Sequence, residues 1–160
     1  MRTHARAGWR RAAQILIPAA ALLIGRASMA DDTRLPKPSV DNGIAYVSGG
    51  DDYRAAKTFE KSLDTYPLAI ELLEKAGPAS AKANHVVNEF TADAKVQIMD
   101  KAGKTVFAAE SQGPFMLVKL PPGHYRMAAT LGGRTLHKSD LAVVKGETAR
   151  ATFIFPRGTA

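Results

Sequence analysis

The chain has 160 residues, 46% of them hydrophobic, with 22 Lys and Arg against 15 Asp and Glu and no cysteine. That length suits one small domain plus a short extra segment, and the missing cysteine excludes a disulfide scaffold, so folding must rest on an apolar core. The net charge of +7 and pI near 9.8 point to nucleic acid only until the charge is located: residues 1–30 hold Arg2, Arg6, Arg10, Arg11 and Arg26 and no acid, and the rest carries 17 basic against 15 acidic residues, a net of +2.

Residues 1–30 have the three parts of a secretory signal peptide. A basic region to Arg11 precedes an apolar run, Ala12–Ile24, and small residues at Ser28 and Ala30 mark a cleavage site before Asp31. The apolar run is well short of the ~20 residues a membrane-spanning helix needs. The Arg10-Arg11 pair lacks the usual apolar follow-up of a twin-arginine signal, and without cysteine the lipid-anchored route is closed. The expectation is export to the periplasm or beyond, with cleavage after Ala30 and no membrane contact afterwards. The competing reading is a leader that stays on as an anchor.

Residues 31–42 contain Pro36 and Pro38 and little apolar content, as a flexible linker does. A sandwich domain is then expected over 43–156. Ile44–Ser48 reads as a short strand closed by Gly49-Gly50. Asp51 and Asp52 suit a helix N-terminus, and Tyr53, Ala56, Glu60 and Leu63 at helical spacing predict a short helix near residues 52–62. Tyr66–Lys75 is ambiguous: Pro67, Glu71 and Gly77-Pro78 are helix punctuation, whereas Tyr66, Leu68, Ile70 and Leu72 alternate as in a strand. Residues 77–84 read as a loop.

From Ala92 the pattern is β throughout. Ala94, Val96 and Ile98 alternate with Lys95 and Gln97, and Asp100-Lys101-Ala102-Gly103 is hairpin chemistry leading to Thr105–Ala109. Gln112-Gly113-Pro114 breaks the chain before Phe115–Leu120. Leu120-Pro121-Pro122-Gly123 predicts a stiff, tight reversal into Tyr125–Leu131, with glycine supplying φ > 0. Thr135–Val144 and Ala149–Phe155 complete the set. Short alternating runs with turn signals every eight to twelve residues predict an all-β sandwich.

Val96-Gln97-Ile98, Asp100-x-x-Gly103-Lys104, Gly113-Pro114-Phe115, Leu120-Pro121-Pro122-Gly123-x-Tyr125, Gly146 and Phe153-x-Phe155 resemble the carboxypeptidase regulatory-like (transthyretin-like) domains, over about 92–156. With Tyr46–Gly50 and Tyr66-Pro67-Leu68, the whole looks like a group of small exported proteobacterial proteins carrying that domain. The resemblance implies a transthyretin-like or Ig-like Greek-key sandwich of about seven strands with one short helix, and it implies that Tyr66–Leu73 is a strand. It implies no peptidase, since the family's catalytic residues lie in a different domain, and fold alone carries no chemistry.

No catalytic residue, cofactor or metal ligand set is nominated. His85, His124 and His137 have no Asp, Glu or second His at metal-ligand spacing, and Gly49-Gly50 lacks the lysine of a phosphate loop. Lys95, Lys101, Lys104, Lys119, Arg126, Arg134 and Lys138 are spread along strand exteriors, a solvated face or a weak anion-attracting surface. They lack the interleaved aromatics of single-strand binding, so no nucleic acid is expected. The expectation is a non-catalytic exported binding or accessory domain for a protein, peptide or envelope glycan, engaged at a sheet edge or near Tyr46–Phe59; Tyr46, Tyr53, Tyr66 and Phe59 could form a recognition surface, although core packing is the commoner fate of such residues. The alternatives are a small periplasmic hydrolase with a loop-built site using His124 or His85, and a structural envelope protein held by its leader.

Overall fold

The computed structural model describes residues 34–76 and 88–160. The leader, the loop at 77–84 and His85 lie outside the described residues. Among the described residues ten strands run in chain order: β1 (Ser39–Asp41), β2 (Ile44–Gly49), β3 (Leu68–Lys75), β4 (Asn88–Phe90), β5 (Lys95–Met99), β6 (Thr105–Glu110), β7 (Phe115–Val118), β8 (Gly123–Leu131), β9 (Arg134–Val143) and β10 (Ala149–Phe155). The helix α1 (Tyr53–Ser62) and a 3-10 turn (Leu63–Thr65) stand between β2 and β3. They form an all-β sandwich with one short helix, as expected. One sheet has the order β1-β2-β7-β3-β10, with β4 continuing beside β3 where β7 stops; the other is β6-β5-β8-β9. Every pairing is antiparallel except β3 with β10.

The core lies between the sheets. Leu68, Ile70 and Leu72 of β3 meet Val96, Ile98 and Phe107 of the opposite sheet in one buried cluster. A second cluster lies on the outer face of the first sheet, where Ala56 and Phe59 of α1 cover Val47, Ala69, Phe115 and Leu117. Phe115–Val118 is therefore buried at all four positions. The same double coverage explains why β3 reads ambiguously: its inner face alternates, while Ala69 is claimed by the helix. Asp52 caps α1, its Oδ1 accepting from the Arg54 and Ala55 N–H groups at 2.8 and 2.9 Å, a cap of the kind that contributes about 1 kcal/mol.

Three expectations change. Residues 39–41, read as linker, are an edge strand joined to β2 by Asn42-Gly43 at φ 47° and 80°, the positive-φ pair of a two-residue hairpin. The described residues hold ten strands rather than about seven: eight strand-like runs are visible in the sequence, and β1 and β4, of only three residues each, add two more. And Leu120-Pro121-Pro122-Gly123 is not a reversal within one sheet: it carries the chain from β7 in the first sheet to β8 in the second. Gly123 is not in the positive-φ region. Its role is steric, because a Cβ there would sit 3.0 Å from the Tyr125 hydroxyl. The ring folds back over the glycine and donates its O–H to the Pro121 carbonyl at 2.9 Å. Burial, helped by the Asp100 charge, pushes the Tyr125 pKa up and keeps that donor protonated.

Polar ties close both sides of the sandwich. On one side Asp41 Oδ2 accepts the Ala108 N–H at 2.8 Å, linking edge strand β1 to edge strand β6. On the other, a C-terminal arm following β10 bends back, and Gly158, Thr159 and Ala160 all donate backbone N–H to the Glu74 carboxylate. Desolvation pushes the Glu74 pKa up, but the three donors together outweigh it and hold the carboxyl below its ordinary 4.5. What this contact contributes is thus complete above pH 4.5 and is lost as the pH falls through the depressed value. In an NMR acid titration the Glu74 side-chain carboxyl resonance and the Gly158 amide are expected to move with a midpoint below 4.5, and Glu74→Gln should erase the Gly158 step. A midpoint at or above 4.5 would contradict the clasp.

Candidate functional site

Two stretches more than sixty residues apart, Ser48-Gly49-Gly50 and Gln112–Phe115, build one corner of the first sheet. Ser48 is buried, and its Oγ accepts the Gln112 N–H and donates to the Phe115 carbonyl, both at 3.0 Å. Gly113 lies directly on the Gly49 backbone: a Cβ on Gly113 would come within 2.5 Å of the Gly49 carbonyl oxygen. Gly50, at φ 95°, leaves room for the Phe115 ring, which a Cβ would meet at 2.6 Å. Only glycine satisfies both constraints there.

Phe115 is the hub. It stacks on Phe59 of α1 at 5.8 Å and meets Phe90 of β4 at 5.2 Å in a tilted arrangement. Between α1 and β4 this leaves a groove of about 380 Å³. One wall is the start of α1 with Tyr53, Ala56 and Lys57; the other is Phe90, Thr91 and Pro114. Tyr53 is 78% exposed and Phe90 50%, so two large aromatic side chains face solvent in the same groove. Asp51, Asp52 and Glu60 make the rim acidic against Lys57 alone. Lys57 Nζ lies 2.6 Å from Glu60 Oε2 and 5.7 Å from the centre of the Tyr53 ring. The Glu60 hydrogen bond raises its pKa, so it stays charged.

A larger depression, about 610 Å³, runs over the outer face of the second sheet above Ala108 and Ala128. Three of its polar side chains are already engaged: Gln97 with Thr105 at 2.7 Å, and Thr130 with Thr135 at 2.8 Å. His137 lines it, but no Phe, Tyr or Trp side chain does. Size favours this trough, chemistry the α1 groove, and chemistry decides, because solvent-facing aromatics are what a partner can desolvate.

His124 and His137 are both exposed. His124 Nδ1 is 3.8 Å from Asp140 Oδ1, too long for a hydrogen bond, and neither histidine lines the α1 groove. Among the described residues no three His, Asp or Glu side chains converge as a metal would require. Of the aromatics singled out near α1, Phe59 is buried, Tyr46 packs edge-on against Phe107 at 5.2 Å, and Tyr53 alone is largely exposed. Phe90 was missed, since a lone aromatic in a three-residue strand has no periodicity to betray it. No protein-family model matches the chain, and none of the curated proteins compared with it is similar.

Proposed function

We propose that this protein is an exported, non-catalytic binding module of the carboxypeptidase regulatory-like kind, working in the periplasm after cleavage behind Ala30. In this reading the α1 groove takes a peptide segment of a partner protein. The observation that carries it is the pairing of Tyr53 and Phe90, exposed in one groove and backed by the packed rings of Phe115 and Phe59. Exposed aromatic side chains near the centre of a groove are a common composition of a binding hot spot. The acidic rim selects the occupant: an apolar or aromatic anchor flanked by Lys or Arg. Sheet-edge addition is the weaker route, since edge strands β1 and β6 are tied together by Asp41.

The experiment is selection of a random displayed peptide library on the protein, followed by calorimetry with the enriched peptides. Sequences combining an aromatic with Lys or Arg are expected, with affinity falling as salt rises. The Tyr53→Ser/Phe90→Ser double variant should bind them at least about thirtyfold more weakly, on the order of 2 kcal/mol. Enriched peptides that bind the double variant equally well would overturn the groove as the site.

A further inference from the structure

The C-terminal arm does more than close the sandwich. Where it packs on the turn between β8 and β9, the Thr159 carbonyl sits in the space a Cβ of Gly132 would occupy. A cleft of about 370 Å³ opens beside this contact, lined by Gly132, Gly133, Arg134, Arg157, Gly158 and Thr159. Two guanidinium groups thus share one cleft whose lining contains no carboxylate side chain. Neither forms an ion pair or hydrogen bond with any described residue. The acid that anchors the arm, Glu74, is occupied by the three backbone N–H groups of residues 158–160. That clasp also limits where Arg157 can go, although the residue belongs to a terminal segment. Gly132, Gly133 and Gly158 lie at φ 51°, 79° and 71°, so much of the cleft lining is bare backbone. A Cβ at Gly133 or Gly158 would meet nothing within 4 Å, which leaves that side open to an incoming ligand.

We propose that this corner binds a phosphate-type dianion. Neither guanidinium is paired with a carboxylate among the described residues, and a ligand of charge near −2 can engage both at once. The planar donor forks of guanidinium match phosphate oxygens better than a single ammonium does. Arg134 and Arg157 supply the charge, and Glu74 is a positioning residue acting through the arm. The site is independent of the α1 groove and stands or falls separately from it.

The test is an NMR titration of the isotope-labelled protein with inorganic phosphate at constant ionic strength, with acetate in parallel. Saturable shifts confined to Gly132, Gly133, Gly158 and Thr159 are expected, with a dissociation constant of about a millimolar, the range of weak anion sites. Arg134→Gln and Arg157→Gln should each weaken binding about tenfold and the double variant should abolish it, whereas Lys145→Gln leaves it unchanged. Glu74→Gln should weaken binding while both arginines remain. Sedimentation with vesicles carrying phosphatidic acid, a phosphomonoester, but not with phosphatidylcholine vesicles, lost in the double arginine variant, would identify the dianion's source as a lipid headgroup. Saturation by phosphate without sedimentation would identify a free anion. No saturable shift, acetate binding as tightly as phosphate, or a double variant that still binds would each overturn the proposal.

Discussion

Truncating Phe115 to alanine is expected to lower the stability of the domain by about 3–5 kcal/mol, the range for a buried phenylalanine. The side chain is 1% exposed and touches three elements at once: α1 through Phe59, β4 through Phe90, and the sheet through its own strand. Its loss leaves a cavity that cannot collapse easily, because the backbone on both sides is locked in β pairing with β2 and β3. Against a total stability of about 5–15 kcal/mol, the variant should melt some 10–20 °C lower by circular dichroism, at about 4 °C per kcal/mol. Phe115→Leu, which keeps much of the volume, should cost under about 1.5 kcal/mol. A melting point for Phe115→Ala within a few degrees of the parent would mean that the helix does not rest on this ring.

Replacing Gly113 by alanine is the second large effect, from overpacking rather than a void. The new methyl would enter the space of the Gly49 carbonyl, and both sides of that contact are main chain, so no rotamer change relieves it. The loop carrying Gly113 would have to lift, and lifting it strains the two bonds of Ser48 to Gln112 and Phe115. A buried polar group left without its partner costs about 1–3 kcal/mol. The expected loss is about 3 kcal/mol, read as a lower urea midpoint at unchanged slope. Pro114, next to Gly113, lines the groove, so peptide affinity should fall with stability. A loss below about 0.5 kcal/mol would show that the two backbones are not in contact.

Local chemistry made much of the fold legible. Asp52 before Tyr53, Ala56 and Glu60 announced α1, and its capping bonds form as that pattern implies. Gly103 at φ 85° closes the β5–β6 hairpin, and β10 runs over Ala149–Phe155, the limits its alternation suggested. Asn42-Gly43 was equally legible as a hairpin signal, and reading residues 31–42 as linker passed over it. Arg134 was visible only as one of several exterior basic residues; its neighbour Arg157 arrives by the arm's return.

The sequence by itself determined what depends on near neighbours: strand alternation, the helix cap, the glycine turns and an apolar content able to support a core without disulfides. The tertiary structure alone decided which sheet each strand joins. Pro121-Pro122 is compatible with a reversal or a crossing, and the choice rests on where β7 finds partners, in β2 and β3. It also decided that Phe59 is buried while Tyr53 and Phe90 face solvent. Burial of a side chain is set by what distant segments place over it, and no local pattern of residues encodes that.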